Sequence, residues 1–144
     1  MSTVSVALSK TPWHLWAVAI LTLLWNGSGA FTIMMAQAGR LPNIDANEAA
    51  YYAAQPPWFV ITTGIALLSP VAAAIALLLR SRAALWLFAA GVVAIVANNV
   101  YDFAVGASLA LVDRGWMILT AITVAIAVLQ LLYARAMRQR GVLR

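Results

Sequence analysis

WFVITTGIALLSPVAAAIALLLRSRAALWLFAAGVVAIVANNVYDF, residues 58–103, decides the fold. Two apolar runs, Trp58 to Leu79 and Ala83 to Phe103, are separated only by Arg80, Ser81 and Arg82. At a helical rise of about 1.5 Å per residue, each run is long enough to cross a hydrocarbon core roughly 30 Å thick. Neither run alternates as a barrel strand does, and an unpaired backbone amide is too costly in lipid, so both are expected to be helices. Three intervening residues force those helices into an antiparallel hairpin. Working outward, Trp13 to Met35 and Trp116 to Ala136 supply two further runs of spanning length. The expectation is an all-α, four-helix membrane bundle forming a single transmembrane domain over residues 1–144.

The composition agrees. Of 144 residues, 65% are hydrophobic and 9% charged, against about 45–50% and 25% in ordinary globular chains. The absence of cysteine excludes disulfides, thiolate nucleophiles and Cys-based metal sites. One histidine and four carboxylates leave little for acid–base or metal chemistry. His14, flanked by Trp13 and Trp16, reads as an interfacial anchor, and a lone imidazole is a poor metal or haem ligand. The sequence lacks a nucleophile–base pair, a phosphate loop and a Rossmann glycine pattern. No enzyme activity, cofactor or metal is expected.

The connections carry the charge pattern. Lys10, Arg80, Arg82, Arg135, Arg138, Arg140 and Arg144 fall on one side of four alternating helices, against Arg40 and Arg114 on the other. The positive-inside tendency then puts both termini in the cytoplasm. This asymmetry accounts for most of the +5 net charge without invoking nucleic acid. The arginine tail reads as a topology anchor against an anionic leaflet. Trp13, Trp16, Trp86 and Tyr133 suit the cytoplasmic interface, Trp58 and Trp116 the opposite one, and Trp25 falls near mid-depth. Asp45 to Ala54 is expected to form a short surface helix, capped by Asn43 or Asp45, that ends before Pro56 and Pro57. Leu109–Val112 is expected to extend the third span or to dip into the interface. Lys10, Leu15–Trp25 and Ser28-Gly29-Ala30 resemble a signal peptide, but apolar character continues through Phe31–Ala36, which favours a retained anchor.

Small and polar residues recur at spacings of three and four in every span, as packing seams between membrane helices require. They are Thr22, Asn26, Gly29, Ile33 and Gln37 in the first span and Thr62, Ala66, Ser69, Ala73 and Ala76 in the second. The third offers Gly91, Ile95, Asn98 and Asp102, with Asn99 alongside, and the fourth Thr120, Thr123, Ala127, Gln130 and Ala134. Pro70 is expected to kink the second span. With alternating helices, Gln37, Thr62, Asn98, Asn99, Tyr101, Asp102, Thr120 and Thr123 gather in the outer half, with Asn26 near mid-depth. These nine are the candidate solute-binding residues of a water-accessible cavity. Asp102 stands near the negative end of its helix, which favours protonation or a cationic partner. It reads as an interfacial carboxylate paired with Arg40 or Arg114, with a titrating, proton- or cation-responsive group as the alternative.

Leu23-Leu24-Trp25-Asn26-Gly27, Ala30-Phe31, Met35, Gln37, Tyr51/Tyr52, Pro57-Trp58 and the Leu77–Arg82 turn resemble a family of short four-helix bacterial inner-membrane proteins commonly labelled "sugar transporter". The resemblance runs over roughly residues 13–136 and implies transport of a small polar solute. It carries no site residues onto these positions. So short a chain would need a homo-oligomer for transport. The competing expectation is a non-catalytic accessory or scaffold protein that binds a membrane partner or lipid.

Overall fold

The computed structural model describes residues 11–108 and 113–144. Lys10 and Leu109–Val112 therefore lie outside the described residues. Five helices follow in order: α1 (Trp13–Gln37), α2 (Ala46–Ala53), α3 (Pro57–Leu78), α4 (Ala83–Ser108) and α5 (Arg114–Gln139). No strand occurs among the described residues. α1, α3, α4 as far as Val105, and α5 are long and apolar enough to cross a membrane. Each begins and ends within a few residues of its expected limits.

Local chemistry sets the boundaries. Asp45 caps α2 by accepting the Glu48 amide at 2.8 Å, and Asp113 caps α5 by accepting the Trp116 amide at 2.7 Å. Pro57 stands in the first turn of α3, where its missing N–H costs nothing. α1, α3 and α5 each close with the paired bonds of a Schellman motif, using Gly39, Arg80 and Gly141 at positive φ. Arg80 is the unusual occupant, because an L side chain costs about 1–2 kcal/mol there. Its carbonyl accepts the Arg144 amide at 2.7 Å, while the Arg82 amide donates to the Arg144 carbonyl at 3.0 Å.

These bonds fold residues 141–144 back onto the α3–α4 turn and bury Val142 and Leu143 beside Leu77, Phe88 and Met137. The tail, expected as a topology anchor, thus also plugs the core. His14 Nδ1 and the Tyr133 hydroxyl are 2.6 Å apart at the same end. The start of α1, the α3–α4 turn and the end of α5 therefore share one end of the bundle, called here the arginine end.

α3 and α4 make the most extensive contact, flanked by α1 against α3 and α5 against α4. α1 and α5 meet chiefly through side chains, His14 with Tyr133 and Asn26 with Gln130. The expected seams form the contacts, with one departure. Gly29 is exposed and Ala30 is buried in its place, since either satisfies a three–four repeat between Asn26 and Ile33.

α3 continues as one helix through Pro70, whose ring lies against Gly91. A Cβ on Gly91 would stand 2.9 Å from Pro70 Cγ and 3.2 Å from Cδ. One turn earlier on α4, the Leu87 carbonyl accepts the Ser69 hydroxyl. Gly91→Val is expected to destabilise the bundle by about 1–3 kcal/mol, as overpacking does, in a denaturant titration in detergent. Adding Pro70→Ala should recover part of that loss, and strict additivity of the two changes would disprove the contact.

Candidate functional site

Apolar side chains dominate the lipid-facing surface of the spans, and most of their polar side chains turn inward, Ser28 and Thr32 of α1 excepted. At the end opposite the arginines they frame a vestibule of about 490 Å³, bounded by all five helices. That volume lies within the roughly 300–1,000 Å³ of small-molecule sites. Gln37, Asn98, Asn99, Asp102, Thr120 and Thr123 line it, as do Thr63 and the aromatic rings of Tyr51, Tyr52, Phe59 and Trp116.

The nine candidate residues divide by their partners. Asn98 is buried and spent on the fold: Oδ1 accepts from the Thr62 hydroxyl at 2.7 Å and Nδ2 donates to Thr63 Oγ1 at 2.9 Å. This clamp joins α3 to α4 and leaves Thr62 behind the lining. Tyr101 also stands outside the lining, with its ring 4.5 Å from that of Phe59 and 5.2 Å from that of Trp58. Asn26 lies deeper, donating to the Thr22 carbonyl at 2.8 Å and approaching Gln130 Oε1 at 3.5 Å. It stands outside the lining, two turns along α1 from Ile33. Thr123 donates to the Leu119 carbonyl. Asn99 and Thr120 have no hydrogen-bond partner for their side chains among the described residues, so their amide and hydroxyl remain available to a solute.

The short helix α2 closes over this end. Tyr51 donates its hydroxyl to Asp102 Oδ1, and Gln37 Nε2 donates to Gln55 Oε1 at 3.2 Å. Asp102 is therefore held by a phenol, in place of the expected arginine; Arg40 and Arg114 are exposed. The sequence offered no direct sign of this contact. Tyr51 and Tyr52 stand out there only as aromatic residues in a loop helix, and their reach depends on how α2 packs.

The lining is acidic. Glu48, Asp102 and Asp113 contribute carboxyl groups, and among the described residues no lysine or arginine lines the vestibule. Such a surface accepts uncharged or cationic groups and repels anions. Among the described residues no three His, Asp or Glu side chains come together in a metal-binding group. Burial first, and then the hydrogen bond and charge of Asp102, push the Tyr51 phenol well above its ordinary range. Burial and the charges of Glu48 and Asp102 likewise raise Tyr52.

A raised phenol pKa marks preference for the neutral form in the folded state. The stabilisation is complete below the unfolded value of about 10 and declines as pH rises through the folded value. Tyr51→Phe should speed amide exchange in residues 46–53 at neutral pH by about five- to tenfold, the factor for a hydrogen bond worth roughly 1–1.5 kcal/mol. The stability advantage of the parent over this variant should shrink above about pH 10; an advantage constant across that range would rule out the linkage. No protein-family model, curated protein or solved structure matches this chain.

Proposed function

We propose that the vestibule binds a small, uncharged or cationic polar solute, a sugar being the favoured class, and that the chain carries it across a bacterial inner membrane as a homo-oligomer. The observation that supports this is the convergence, inside an otherwise apolar bundle, of unpaired polar groups with aromatic rings in one cavity. Asn99 and Thr120 supply hydrogen bonds, Tyr52 and Trp116 supply faces for stacking, and the acidic rim discriminates against anions. The arginine bias assigns the opposite end to the cytoplasm, so the vestibule opens outward.

Unequal burial supports assembly. α3 is 44% buried across its most apolar window, whereas α1 and α5 are each 17% buried. α1 also turns Ser28, Gly29 and Thr32 outward, and small or hydroxylated residues allow close approach of a second helix. The same exposed face supports the accessory reading, in which the neighbour is a different membrane protein.

The test is uptake of radiolabelled neutral monosaccharides by proteoliposomes containing the full chain. Uptake is expected to be saturable, to resist competition by sugar phosphates, and to fall at least tenfold, or about 1.4 kcal/mol, in Asn99→Ala/Thr120→Ala. That variant should retain its helicity, whereas Asn98→Ala should lose stability. Correctly folded protein that moves neither sugars nor small amines, while retaining one membrane partner on native purification, would replace transport with the accessory role. Because the chain has no cysteine, a single Gly29→Cys reports assembly: disulfide-linked pairs in membranes support the homo-oligomer.

A further inference from the structure

Every aspartate and glutamate of the chain, Asp45, Glu48, Asp102 and Asp113, belongs to the vestibule end. The arginine end holds Arg80, Arg82, Arg135, Arg138, Arg140 and Arg144, so no side-chain carboxylate of the chain balances them. Between α4 and α5 at this end runs a second cavity, of about 550 Å³. Its α5 wall changes from apolar to basic toward the end of the helix. Leu85 and Ala89 on α4 and Leu131 and Leu132 on α5 make its apolar wall. One turn further along α5, Arg135 and Arg138 form the rim, three residues apart and therefore on one helix face. Both guanidiniums are exposed and have no hydrogen-bond or ion-pair partner among the described residues.

We propose that this α4–α5 groove is a binding site for one anionic phospholipid, with its phosphate held between Arg135 and Arg138 and an acyl chain laid along Leu85, Ala89, Leu131 and Leu132. Three features select this occupant. A soluble anion satisfies the arginines but leaves the apolar wall facing lipid. A zwitterionic lipid fills the wall but brings its own cation to the rim. An anionic lipid meets both parts, and guanidinium forks match phosphate oxygens. Trp86, exposed on the opposite lip, has the amphipathic ring that suits the level between headgroups and chains. The position at the carboxyl end of α5 adds the helix dipole, which favours the two arginines there.

The site is distinct from general attraction to a charged leaflet, and the experiment separates them. Full-length protein in non-ionic detergent is titrated with phosphatidylglycerol or phosphatidylcholine and followed by native mass spectrometry. One phosphatidylglycerol is expected to bind first and to survive competition by phosphatidylcholine and by inorganic phosphate. Arg135→Gln/Arg138→Gln should weaken that first binding by about thirtyfold, about fivefold for each arginine. Arg82→Gln/Arg140→Gln removes the same charge from the same end outside the groove and should change it less than threefold, or about 0.65 kcal/mol. Ala89→Trp fills the apolar wall and should weaken it with every arginine present, which keeps the proposal testable if the double arginine variant does not fold. Equal losses in the two arginine pairs would reduce the effect to surface potential and overturn the site. Displacement by inorganic phosphate at matched concentration would make it a soluble-anion site and overturn the lipid assignment.

Discussion

The seam between α3 and α4 sets the spacing on which the rest of the bundle depends. In lipid, helices gain little from hiding apolar surface from one another, so association rests on close contact and on polar groups with no better partner. Here the seam has three fastenings along its length. Ser69 reaches the Leu87 carbonyl, the Pro70 ring occupies the space left by the missing side chain of Gly91, and Asn98 is bonded to both Thr62 and Thr63. Gly91 is required because a side chain there would meet a ring and not a flexible tip. α1 and α5 then pack on either side of a hairpin whose geometry is already determined.

That hairpin divides the molecule along its length. Toward the arginine end the interior is filled by Leu15, Leu77, Phe88 and Met137, with Leu143 returning from the tail. Toward the other end the seams carry Asn98, Asn99, Asp102, Thr120 and Thr123, and the interior opens into the vestibule. The change follows from side-chain volume and chemistry: large apolar groups fill space without needing water, whereas amides and carboxyl groups lose hydration unless a partner or a wet cavity receives them. Asn26 and Gln130 lie at the boundary and partly satisfy one another.

Much of this was legible because spanning helices announce themselves by length and because polar residues in them have few places to go. The hairpin, the four spans, a cap on α2 at Asn43 or Asp45 and nearly all seam residues can be placed from the sequence. What escaped it depends on reach between elements. Asn98 and Asn99 are adjacent and chemically identical, yet a turn of about 100° makes one a clamp and leaves the other facing the cavity. Tyr51 finds Asp102 only because α2 folds back over the bundle, and local periodicity does not encode that direction. The return of Val142 and Leu143 is hidden for a related reason: two apolar residues in an arginine-rich tail carry no periodic signal. Gly29 and Ala30 are interchangeable by spacing, and only the packed bundle, which buries Ala30, chooses between them.

The same unevenness bears on how a solute would pass. α3 and α4 are fastened at both depths, so a path between them would have to break the Pro70–Gly91 contact and the Asn98 clamp together. α1 and α5 are held differently: their backbones stand farther apart, one hydrogen bond joins them at the arginine end, and a 3.5 Å amide contact joins them at mid-depth. Measured intramembrane hydrogen bonds average only about 0.6 kcal/mol, so these two polar contacts hold the pair weakly, and their backbones contact less than those of the central hairpin. The Asn26–Gln130 contact lies between the vestibule and the arginine end, and its opening would leave the α3–α4 seam intact. If the bundle conducts a solute as proposed, the two outer helices are the elements least fastened to one another, and the path that disturbs the fewest contacts lies between them.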